Sequence, residues 1–177
     1  AMRTAMPIAL LASLLSVACA PASGGAQGPA GIATTENSAM TQLHAAMQSL
    51  VERPPNVEDV SALLGTTLTR ASDTRYMTTY QAHDGHLGEL PVQQVELRIM
   101  KDDARRTLLL VRLAEPVMGG KAFVATHWRD ADFTLANASA PDAPSYWHTR
   151  QGDAVLKLGT DARGDAVRTL VVDRIDR

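Results

Sequence analysis

Two periods divide the chain. Over residues 35–52 the apolar positions Met40, Leu43, Ala46 or Met47, Leu50 and Val51 recur at the three-and-four spacing of a helix with one buried stripe. Asn37 or Ser38 is placed to cap its start, and Pro54-Pro55 stops it. Asn56 then opens a second, shorter helix. Glu58 and Asp59 in its first turn favour the helix dipole, and Val57, Val60, Leu63 and Leu64 form its stripe. Gly65 stands where a left-handed C-cap is needed. A helix this short must pack on something larger.

After Gly65 the period shortens to two. Residues 66–69 start a strand, and residues 75–81 mix aromatic and Thr positions in partial alternation. Residues 82–90 read as a turn or loop, with Asp84-Gly85 its strongest signal. In 92–100, Val95, Leu97 and Ile99 alternate with Glu96 and Arg98. Lys101-Asp102-Asp103 then turns the chain into the strong strand 107–113, so the two strands predict a hairpin. Gly119-Gly120 breaks the chain, and 121–126 reads as a further strand. A short strand follows at 132–135, then a polar Ala/Pro-bearing excursion over 137–144. Residues 146–150, 155–158 and 167–175 complete the pattern, with a turn around 161–165. The expected fold class is α+β: two N-terminal helices packed on a mainly antiparallel sheet of about six or seven strands.

The first residues have a different composition. Arg3 precedes the apolar run Ala5 to Ala18. Cys19, the only cysteine, follows, and then the small and polar stretch APASGGAQGPAG. This is the composition of a secretory signal peptide, and Ala1 before Met2 reads as a cloning remnant. The run is interrupted by Pro7 and falls short of the roughly 20 residues a spanning helix needs. A buried N-terminal helix and a signal without lipid are the plainer alternatives. Leu15-Ser16-Val17-Ala18-Cys19 resembles the lipobox of bacterial lipoproteins. The resemblance implies cleavage before Cys19, acylation of its sulfur, and anchoring in the bacterial envelope. Ala20, in place of an aspartate, implies sorting to the outer membrane, facing the periplasm. The expected organisation is therefore a signal over 1–18, a flexible tether over 19–37 and a single α+β domain over 38–177.

A second resemblance lies in the folded part. Asn56-Val57-Glu58-Asp59-Val60-Ser61-Ala62-Leu63-Leu64-Gly65, followed by the strand around Tyr76 and Tyr80, resembles small outer-membrane assembly lipoproteins and beta-lactamase-inhibitor-like modules. It implies a helix-then-sheet module that works by binding.

Charge narrows the partners. The chain has 17 Lys+Arg and 19 Asp+Glu, and Arg3 is the only charged side chain lost with the signal. That leaves 16 basic groups against 19 acidic ones, with no basic run, which argues against nucleic acid. Membrane association is expected through the lipid on Cys19.

Three clusters are candidates for chemistry. His83, His86 and Glu89 have ligand-type side chains at three-residue intervals and can approach a divalent cation if their loop folds back. The plainer reading is a solvated hairpin connection. His127 with Asp130 or Asp132 can orient a general base, but no nucleophile stands in a matching setting. Tyr146-Trp147-His148 places scarce aromatic residues side by side, and neighbours in a strand point to opposite faces. Trp128, Tyr146 and Trp147 are therefore the candidate partner-binding residues, with core or edge packing the plainer reading of each. No catalytic residue and no cofactor is expected. The function expected is a non-enzymatic, periplasm-facing lipoprotein that binds a protein, such as a toxin-neutralising immunity or inhibitor protein. An envelope assembly or accessory lipoprotein is one alternative. A metal-binding protein or periplasmic hydrolase using His83, His86 and His127 or His148 is the other.

Overall fold

The computed structural model describes residues 30–136 and 144–175, with side chains from Ser38 onward. Cys19 and the expected signal lie outside the described residues. Helix α1 (Ala30–Glu52) covers the expected span and begins earlier, burying Met40, Leu43, Met47 and Leu50. Helix α2 (Val57–Leu64) follows its sequence signals closely. The Asn56 side chain accepts the Asp59 N–H at 2.8 Å, and Gly65 ends the helix at φ 59° with its N–H on the Ser61 carbonyl.

The expected α+β fold with two helices and six or seven strands is corrected by the structure. The described residues are mostly sheet: nine strands in one antiparallel sheet, with three helices. Strands β1 (Thr69–Asp73), β2 (Met77–Ala82), β4 (Leu90–Met100) and β5 (Thr107–Val117) form one meander. The two-residue β3 (His86–Leu87) pairs with the start of β4 inside the segment read as a loop. Strands β6 (Asp132–Thr134), β7 (Ser145–Gln151), β8 (Ala154–Thr160) and β9 (Val167–Asp173) form a second meander. The two halves join where β9 pairs with β5.

The largest correction is at 121–126, expected as a strand. It belongs to helix α3 (Gly120–His127), which links the two meanders. Alternation in Lys-Ala-Phe-Val-Ala-Thr is weak, whereas Phe123, Val124 and Trp128, all buried, lie on one helical face.

The pairing registers line up rows of side chains across the sheet. Trp147, Leu158, Leu170, Val111 and Val95 form one row, and Leu156, Val172, Leu109 and Leu97 the next. These rows share one continuous apolar core with side chains of α1, α2 and α3. The opposite face is mixed: Lys157, Val171, Leu110, Glu96 and Gln81 form a row there, with Lys157 paired to Asp173 and Glu96 to Arg98. This asymmetry is what an antiparallel sheet covered on one side requires.

Candidate partner-binding site

The turn between β8 and β9 is the foundation of the site. The Asp161 carboxylate accepts the N–H groups of Asp165 and Ala166 at 2.9 and 3.1 Å. Those backbone donors hold its pKa below the ordinary carboxylate value. The turn then docks on α3. Gly120 donates its N–H to the Asp165 carbonyl at 2.9 Å, and a Cβ at Gly120 would come within 3.0 Å of the Gly164 and Asp165 carbonyl oxygens. A side chain here would press on two backbone oxygens, so glycine eases this approach.

Trp147 is locked by the same turn. Its Nε1–H donates to the Gly164 carbonyl at 2.8 Å, and its ring packs on Phe133 with centroids 4.6 Å apart. Gly164 has φ 77°, and a Cβ there would sit 2.8 Å from the Trp147 indole nitrogen. Trp128 lies just past the last turn of α3, its backbone N–H on the Val124 carbonyl at 2.8 Å. Its ring meets Phe123 edge-on at 5.6 Å. Trp128 is only 3% exposed, and its indole N–H has no acceptor among the described residues.

Both tryptophans line one open cavity of about 360 Å³, together with Val124 and Ala131. Lys121 and Arg129 stand on its rim, both exposed. Neither forms a salt bridge among the described residues. The arrangement is an apolar, aromatic cleft with two available cations beside it.

The other candidate residues are dispersed. Tyr146 is half-buried on the opposite sheet face, opposite Gly159 and 5.6 Å from the His148 ring. His148 lies opposite Asp132 in the β6–β7 register. His127 does not turn toward Asp130 or Asp132 in a catalytic arrangement. It stacks on His44 of α1, ring centroids 3.9 Å apart and planes 20° from parallel. His83, His86 and Glu89 are exposed, and the Glu89 backbone N–H is held by the Gln42 side chain at 2.9 Å. Among the described residues no three His, Cys, Asp or Glu side chains are grouped so as to hold a metal ion.

Lys121 and Arg129 were not singled out in the sequence. The signal that points to them is the helical spacing of Lys121, Val124, Ala125 and Trp128, which puts Lys121 of the first turn on the same face as Trp128, with Arg129 just past the helix end. Comparison of the chain with family models, with characterised proteins and with solved structures gives no match.

Proposed function

We propose that this chain is a non-enzymatic bacterial lipoprotein, anchored through Cys19, whose sheet domain binds a protein partner in the cleft between α3 and β7. The observation that carries the binding reading is the convergence of both tryptophans of the chain on one cavity rimmed by Lys121 and Arg129. Tryptophan and arginine are among the residue types enriched in interface hot spots. The unpaired cations favour a partner segment carrying carboxylates, which then find both charge and an apolar slot. A toxin-neutralising role and an envelope-assembly role both use such a surface, and the identity of the partner separates them.

A photo-crosslinking side chain at Ala125, which lines the cleft and is exposed, tests the reading in the full-length chain in envelope extracts. One specific adduct is expected from Ala125, none from the exposed Tyr76, and a strong loss of the adduct in Trp147→Ala. Equal labelling from both positions overturns the site. For the anchor, Cys19→Ser is expected to shift the protein from the membrane fraction to the soluble one. Retention of a processed Cys19→Ser protein in membranes overturns it.

A further inference from the structure

A second cavity, separate from the tryptophan cleft, lies where the sheet loses its regular register. On β4 the pairing with β5 shifts between Val92 and Gln94, which leaves Gln93 as the extra residue. On β5 and β9 the pairing jumps from Arg112–Thr169 to Val117–Val167, which leaves Arg168 between the two registers. On β8 the pairing with β9 shifts between Gly159 and Thr160. The breaks fall side by side on adjacent strands. Bulges re-aim side chains and are enriched beside functional sites. Here Gln93 and Arg168, the residues left out of register, line a cavity of about 290 Å³ together with Arg112, Leu113, Ala114, Pro144 and Thr169.

The chemistry of this lining is one-sided. Arg112 and Arg168 are both exposed, and neither has a carboxylate partner among the described residues. Several other cations on or beside the sheet do have carboxylate partners: Arg98 holds Glu96, Lys157 holds Asp173, and Lys101 holds Asp73 at 2.6 Å. Arg112 instead lies between Gln94 on β4 and Thr169 on β9, neutral on both sides. Gly159 stands opposite Thr169, and a Cβ there would come within 3.4 Å of the Thr169 hydroxyl. Two guanidinium forks, an amide and a hydroxyl thus share a cavity with no carboxylate among its described lining residues.

We propose that Gln93, Arg112, Arg168 and Thr169 form a binding site for a phosphate-class oxyanion. Guanidinium groups match the paired oxygens of phosphate in bidentate fashion, and two of them balance the charge of a dianion. Gln93 and Thr169 supply neutral donors to the remaining oxygens. The ligand is either a free phosphate or phosphomonoester, or the same group on a lipid head. The site rests on residues that the tryptophan cleft does not use, so either proposal can fail without the other.

The test uses the full-length chain carrying Cys19→Ser, so that anchoring does not mask binding. Inorganic phosphate is titrated at constant ionic strength by calorimetry. Vesicles of phosphatidylcholine with and without phosphatidic acid form the second arm. Saturable phosphate binding, weakened about tenfold or more in Arg112→Gln/Arg168→Gln, supports a free phosphate ligand. Binding confined to the phosphatidic acid vesicles and lost in the same variant supports a lipid head group. Arg168→Lys keeps the charge and loses the fork, so an intermediate affinity is expected. No binding in either arm, or binding that the double variant retains, overturns the proposal.

Discussion

His44 sits on α1 with its ring against two side chains of α3, Phe123 at 5.8 Å and His127 at 3.9 Å. Its Nδ1 is buried and has no partner among the described residues. Burial first, and the charge of His127 second, hold its pKa below the ordinary 6.5. The unfolded chain therefore binds the proton more readily than the folded one. His44 contributes its full share of stability above the unfolded value, and that share is lost as pH falls through the folded one. Between about pH 7 and pH 5 the urea midpoint is expected to fall in the natural chain and to fall less in His44→Phe. Identical slopes in the two proteins would refute the assignment. Asp161, held below the carboxylate range by backbone donors, acts in a separate and more acidic window. At this scale the sequence was only partly legible. Spacing along the chain sets His127 beside Asp130 and Asp132, but the ring it stacks on, His44, lies on another helix, and spacing carries no information about that contact.

At the scale of elements, α1 has no basic residue in its own last turn. Arg174, just beyond β9, takes that place. Its guanidinium bonds the carbonyls of Leu50 and Val51 and the carboxylate of Asp153, and the residue is 2% exposed. A cation at a helix C-terminus satisfies orphan carbonyls and complements the dipole. Arg174→Met is expected to destabilise the fold by about 1–3 kcal/mol, read from urea unfolding, because those carbonyls lose their donors in a buried setting. A loss below a few tenths would mean that water replaces the guanidinium without cost. The helices also show where local signals suffice. Asn56, Glu58, Asp59 and Gly65 mark the ends of α2 by local chemistry, and each stands as its type predicts, while burial of Val60 and Leu64 supplies the packing so short a helix needs. Helix α3 has a glycine, Gly119, at its N-cap with no side-chain hydrogen bond, and no acidic residue in its first turn. Its helicity comes from burying Phe123, Val124 and Trp128 and from the Gly120 contact, and these are tertiary facts.

The molecule as a whole depends on the β5–β9 seam. Leu170 of β9 faces Val111 on one side and Leu158 on the other, all three buried. Leu170→Ala is expected to cost about 2–5 kcal/mol, the range for a large-to-small change in a packed core. Because a single core runs under both meanders, denaturation is expected to remain one transition by fluorescence and by circular dichroism. Separate transitions for the two halves would contradict that continuity. The β4–β5 hairpin was legible because its turn and both alternating strands are contiguous. The seam was not, since nothing local in Val167–Asp173 says that it pairs with a strand some sixty residues earlier.

The position of β9 has a consequence for how the protein is made. Among the described strands β9 comes last in chain order, yet it is inserted between β5 and β8, in the middle of the sheet. A nascent chain that has exposed everything up to β8 still carries two raw sheet edges and an incomplete core. Such edges invite pairing with other chains. The sheet cannot be completed strand by strand in chain order, because β9 must enter between strands that precede it. The seam closes only once Val167–Asp173 is available, and until then any factor that shields the chain has the β5 and β8 edges to cover.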